Sequence, residues 1–149
     1  MTKSEKAVQY FKAGFNCAQS VLGPFCVKSG ISEEHGLKIA CAFGAGMGRQ
    51  QHTCGAVTGA LMVLGLHYGK GKNDDNLKKL DTYEKTVAFF KAFTEKHGTT
   101  VCLELMDGLH MNDPEEMKKI DQLELHRIRC TRFVTDAVEI TRKLIGDED

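Results

Sequence analysis

The stretch Cys54 to Leu66, CGAVTGALMVLGL, carries no charge and no proline and is rich in glycine and alanine. A chain can place such a segment only inside itself. Gly55 and Gly59, like Ala56 and Ala60, recur at a spacing of four, which puts them on one face of a helix. That face has almost no side chain, so a second helix can approach closely, at a propensity cost of about 1 kcal/mol per Gly relative to Ala. The spacing is that of a membrane-helix dimer motif, yet the apolar run is too short to cross a bilayer and polar residues flank it. A core helix of a soluble protein is expected. Thr53 reads as its N-cap, with Cys54 in the first turn, where the partial positive charge of a helix start favours a thiolate.

Upstream, Phe43 to Gly48 alternates Gly44, Gly46 and Gly48, and the polar segment Arg49 to Thr53 carries Arg49 and His52. Glycine-rich loops before helices often bind phosphate. GAGMGR has neither the G-x-G-x-x-G spacing nor the Lys-Ser/Thr of a P-loop, and no βαβ pattern surrounds it. The better reading is a tight backbone path that delivers Cys54.

A chain of 149 residues makes one domain, residues 1–149, with room for a real core. Its 42% hydrophobic and 27% charged residues are ordinary for a globular protein. Net charge is zero and no basic patch stands out, so nucleic acid is not an expected partner. The N-terminus, MTKSEKAVQYF, lacks the apolar centre of a signal peptide, and no stretch is expected in a membrane. A cytoplasmic location follows. Six cysteines in a reducing compartment point to metal or redox chemistry rather than structural disulfides.

Helical patterns fill the chain. Lys3 to Lys12 is one. Asn16 caps a second, with Cys17 in its first turn, apolar Val21, Leu22 and Phe25, a kink at Pro24 and an end at Gly30. Ser32 opens a third, Glu33 to Phe43, expected to bury Leu37, Ala40 and Cys41. Asn73 or Asp74 is expected to cap a long helix to about Lys96, whose Leu77, Leu80, Val87, Phe90 and Phe93 recur at three and four, with Tyr83 and Phe89 adding bulk. Gly98 ends it. Thr99 or Thr100 caps a short helix, Val101 to Met106, with Cys102 in its first turn. Asp113-Pro114-Glu115-Glu116 is a strong start for a run to about Leu144 with a break near His126 to Cys130. The tail, GDED, reads as loose. No strand and no internal repeat is evident. The fold class is all-α, an irregular bundle of about six to eight helices in a single domain.

Cys17, Cys54, Cys102 and, given the break, Cys130 fall at predicted helix starts. Cys26 and Cys41 fall on apolar faces, where a cysteine acts as a small hydrophobe. Metal ligation and thiol exchange both need the thiolate, and helix starts supply positive potential and free N–H groups. Converging, four such ends suit an iron–sulfur or zinc site, or a redox dithiol. No C-x-x-C occurs, so zinc-ribbon, ferredoxin and thioredoxin motifs are absent, and only the tertiary fold can assemble the site. His52 is a candidate to tune a thiolate together with Arg49, or to ligate. His67, His97 and His110 sit at helix ends or loops, His35 and His126 on helices, and no Ser-His-Asp or Cys-His pair can be selected.

Five segments, GFNCAQSVL (14–22), FGAGMGR (43–49), CGAVTGALMVLGL (54–66), VCLEL (101–105) and CTRFVTDA (130–137), resemble a redox-active protein family named for its C…GCAxxG…C…C pattern. The resemblance spans nearly the whole chain. It implies that Cys17, Cys54, Cys102 and Cys130 are the family's four cysteines. Where the pattern has Gly-Cys-Ala-x-x-Gly, this chain has Thr53-Cys54-Gly55-Ala56-Val57-Thr58-Gly59, one residue longer from the Cys to the closing Gly. A related domain in split-Soret cytochromes implies an iron–sulfur cluster beside haem, but this chain has no C-x-x-C-H for haem attachment. The expectation is that the four cysteines hold a small iron–sulfur cluster for electron transfer or redox sensing, with Arg49 and His52 behind them and an unidentified redox partner. One alternative is a thiol–disulfide oxidoreductase with Cys54 as the attacking thiolate. Another is a structural zinc or interaction module. The bare glycine face and the long aromatic helix leave room for a homodimer.

Overall fold

A computed structural model describes residues 1–149. The chain is helical throughout, as its periodicity predicts, with no β-sheet and one isolated antiparallel bridge, Thr53 to Val101. Local signals start most of the helices. Thr2 and Glu5 form a capping box on α1 (Lys3–Lys12), and Asn16 and Gln19 form another on α2 (Cys17–Leu22). A 3₁₀ turn with Pro24, Gly23–Phe25, extends α2. The Ser32 hydroxyl accepts from the His35 amide at the start of α3 (Glu33–Ala40). Asp113 accepts from the amides of Glu115 and Glu116 at the start of α8 (Pro114–Gln122). The predicted break is real: Glu124 has φ of 52°, a π turn spans His126–Cys130, and α9 (Thr131–Ile145) follows.

The core forms around α5 (Gly55–Tyr68), which packs on α2, α6 (Asn76–His97) and α9. The bare face does what its spacing predicts. A Cβ on Gly59 would lie 2.6 Å from the Ala18 carbonyl oxygen, and one on Gly55 would lie 3.0 Å from the Ala18 amide nitrogen. Only glycine lets α5 and α2 touch backbone to backbone there. No helix is long and apolar enough to cross a membrane.

Several expectations are corrected. Cys54 is not in the first turn of α5 behind a Thr53 cap. It is itself the N-cap residue, and Thr53 is drawn into the bridge with Val101. Asp75, not Asn73 or Asp74, caps α6, because the Asp74 carboxylate instead accepts from the Gly71 amide in the preceding turn. The α6 apolar residues do not share one buried face: Phe89 and Phe93 are buried, whereas Leu77, Leu80, Tyr83 and Val87 are 57–70% exposed. Helix α3 ends at Ala40, leaving Cys41 exposed on a 3₁₀ turn, while Cys26 is buried as expected. The tail is tied down. Asp147 pairs with Lys3 at 2.6 Å and with Lys28 at 3.4 Å, and Asp149 pairs with Arg142 at 3.2 Å.

Candidate functional site

The polar segment before α5 is built on an unusual backbone. Ala45, Gly46, Met47, Gly48 and Arg49 all have φ between 54° and 71°, so the turn α4 (Gly44–Met47) and the residues after it wind left-handed. Such a turn costs a non-glycine residue roughly 1–2 kcal/mol, and strain of this kind collects at functional sites. Gln51 holds it in place. Its amide donates to Ala45 O, its buried side chain donates to Leu109 O at 2.9 Å, and it accepts from the Met111 amide at 2.7 Å. The chain then runs straight into the bridge. Cys54 N donates to Thr100 O at 2.8 Å, and Cys102 N donates to His52 O at 2.6 Å. These two bonds set Cys54 and Cys102 side by side, each at a helix entry. Cys102 opens the short helix α7 (Cys102–Leu105).

Cys17 arrives from the other side. It is the first residue of α2, and α2 lies against α5 through the Gly55 and Gly59 contacts. Cys130 ends the π turn, a feature frequent at functional sites, and Arg129 beside it clamps that turn to α7. The Arg129 guanidinium donates to Leu105 O at 3.1 Å and to Asp107 at 2.7 Å. The result is a cavity of about 420 Å³ with Cys17, Cys54, Cys102 and Cys130 all on its wall, each less than a tenth exposed. The longer spacing from Cys54 to Gly59 has not moved Cys54 off this wall.

The cavity is lined mostly by apolar groups, and this sets the thiol chemistry. The Cys17 thiol is pushed well above its ordinary value, first by its hydrogen bond with Cys130 and then by burial. Burial pushes Cys54 up to about 12, against the opposing pull of the Ala56 and Val57 amides. Burial, with Cys130 nearby, pushes Cys102 up to about 12. At Cys17, Cys54 and Cys102 the pull expected of a helix start is therefore outweighed in the metal-free protein, by burial at Cys54 and Cys102 and by Cys130 together with burial at Cys17. Cys130 does not sit at a free helix start at all, since the π turn runs directly into α9.

Arg49 lies on the cavity wall, but the His52 side chain is exposed and away from it; His52 contributes its carbonyl to Cys102. Two wall residues carried no sequence signal. His126, on the π turn, has its pKa lowered by burial, with Arg49 pushing the same way and Asp121 opposing, so the ring is neutral at neutral pH. Cys41, expected in the core, is the exposed thiol on the same wall. Arg129 and Gln51 act by positioning. Arg129 was findable as the neighbour of Cys130, whereas nothing in the sequence marks Gln51 as buried.

In this structure no group of three or more His, Cys, Asp or Glu side chains draws together tightly enough to hold a metal ion. The four thiols share one cavity wall with no carboxylate on it, and cysteine sulfur is a soft donor that suits zinc and iron–sulfur clusters alike.

Residues 15–144 match the family described as "Putative redox-active protein (C_GCAxxG_C_C)". The chain belongs to this family. An uncharacterized protein of Archaeoglobus fulgidus is 25% identical over 159 aligned positions, which cover 99% of each chain. No solved structure matches the chain.

Proposed function

We propose that Cys17, Cys54, Cys102 and Cys130 together hold a small iron–sulfur cluster, and that this redox-active family member uses it for electron transfer or redox sensing in a reducing compartment. One observation carries the reading: four separate segments each bring a buried thiol to the same cavity. A bound cluster supplies one-electron chemistry at a potential set by burial and by hydrogen bonds to sulfur. This chain's residues supply the four donors, the apolar wall and the neutral His126. Ligation strips the proton from a thiol, so the raised thiol pKa values describe the metal-free state, and loading should release protons.

A second reading has its own support in Cys17 and Cys130, which share the cavity wall, with Cys130 the first cause of the raised Cys17 value. As a dithiol, this pair would lose two electrons and two protons to an acceptor while an S–S bond forms. The raised values leave little thiolate at neutral pH at Cys54 and at Cys17 alike, so thiol exchange in this reading speeds up as pH rises. Protein purified without oxygen should contain iron with matching acid-labile sulfide and visible absorbance, all lost in Cys54→Ser. Absence of iron and sulfide after reconstitution, with a free-thiol count that falls by two on oxidation, would overturn the cluster in favour of the dithiol. A colourless protein that folds only with zinc would overturn both.

A further inference from the structure

Helix α6 is 22 residues long, so it spans about 33 Å at the usual helical rise. Its N-terminal half buries nothing: the first buried residue is Phe89. Yet this half is not polar. Leu80 is 57% exposed, Tyr83 59% and Val87 68%, with Leu77 beside them at 70%. Leu80, Tyr83, Val87 and the half-buried Phe90 step by three, four and three. That is the a–d–a–d seam of a coiled coil, with a β-branched residue at one a position, as two-stranded pairs favour.

The flanking charges identify what covers the seam. On this frame Lys79 occupies the g position and Glu84 the following e position. In a parallel pair of helices, g on one strand faces the next e on the other. Two copies of α6 would thus place Lys79 of each against Glu84 of the other, twice over by symmetry. The ion pairs inside the chain leave these two residues free. Their neighbours Lys78 and Lys85 pair with Asp74 and Asp81, whereas Lys79 and Glu84 pair with nothing in their own chain. An antiparallel pairing brings like edges together and sets Lys79 against Thr86, so the charges favour the parallel one. With a net charge of zero, two copies do not repel one another at long range.

We infer that the chain forms a two-fold dimer through parallel pairing of α6 with the α6 of a second copy. No residue of α6 lines the thiol cavity, so the dimer leaves that site open and does not depend on what the cysteines hold. Sedimentation equilibrium of the full chain over a range of concentrations tests it. The wild type should be dimeric, and Leu80→Glu with Val87→Glu should be monomeric with unchanged thermal stability of the monomer. Lys79→Glu alone should weaken the dimer by about tenfold or more, because each change occurs twice in the interface. Lys79→Glu combined with Glu84→Lys should restore it. A wild-type monomer at every concentration, or a dimer indifferent to Leu80→Glu with Val87→Glu, would overturn the interface. A weakened dimer that the charge exchange fails to rescue would overturn the parallel register.

Discussion

Helix α5 buries every residue from Gly55 to Ala60, whereas the longer α6 packed against it buries only Phe89 and Phe93. Side-chain bulk alone would suggest the reverse. The buried stretch Gly55 to Ala60 of the first is made of small residues, and the second carries three phenylalanines. The difference shows that burial follows how close two backbones can come, as much as how large the side chains are. Gly55 and Gly59 bring α5 onto Ala18, and the helix is then enclosed by α2, α6 and α9. The large residues of α6 reach the core only over its C-terminal half. There Phe93 stacks on Phe89, with ring centroids 6.0 Å apart, and meets Phe133 at 6.1 Å.

The sharpest test of this contrast is Phe93→Ala. Emptying a fully buried aromatic site should cost about 3–5 kcal/mol, read by urea or thermal unfolding. A loss under about 1 kcal/mol would mean that the C-terminal half of α6 is no better packed than its N-terminal half. Gly59→Ala comes next. The added methyl meets the Ala18 backbone at 2.6 Å, and a backbone cannot rotate aside. A net loss of about 1–3 kcal/mol is expected despite the better helix propensity of alanine. A gain in stability would show that α5 and α2 are not in direct backbone contact.

The cavity end of α5 differs from both helices in being sensitive to alkali. In the metal-free protein Cys54 and Cys102 have folded values near 12 against an ordinary 9.0. Between those values the unfolded chain holds fewer protons than the folded one, so stability is full below about pH 9 and falls as pH rises towards 12. Urea midpoints measured from pH 7 to 11 should decline, and less so in Cys54→Ser. A flat profile would mean that the thiols are better solvated than their burial implies. The smallest effect belongs to the N-terminal half of α6. In the monomeric Leu80→Glu, Val87→Glu background, Leu77→Gln, at a site 70% exposed, should change unfolding stability by no more than about 0.5 kcal/mol. A larger loss would mean that this half of α6 packs within the single chain.

Much of the helical layout was legible because its signals are local. Asn16, Ser32 and Asp113 cap where their side chains can reach an amide two or three residues on. The local rule fails where several candidates stand together. Three polar residues precede α6, and only the Gly71–Asp74 turn leaves the cap to Asp75. It fails again at Thr53, whose partner in the bridge lies at Val101. The exposure of Cys41 depends on the turn after α3 and had no sequence signal. Nor had the docking of the acidic tail, which depends on Lys3 at the opposite end of the chain.

Sequence alone determined that the protein is a bundle of helices, that the segment after Cys54 is its innermost part, and that Cys17, Cys54, Cys102 and Cys130 stand near the starts of helical segments. These conclusions rest on interactions that reach no more than about four residues along the chain. Tertiary structure alone decided that the four thiols share one cavity, that burial holds the Cys17, Cys54 and Cys102 thiols above their ordinary values, that Arg129 and Gln51 hold the walls, and that one side of α6 faces outward. Each of these depends on groups far apart in the chain. The bridge from Thr53 to Val101 joins two of the cysteine segments, the contact of Gly59 with Ala18 brings in a third, and the clamp from Arg129 to Leu105 secures the fourth. A thiol's pKa depends on the solvent that such contacts exclude, which no spacing of residues records.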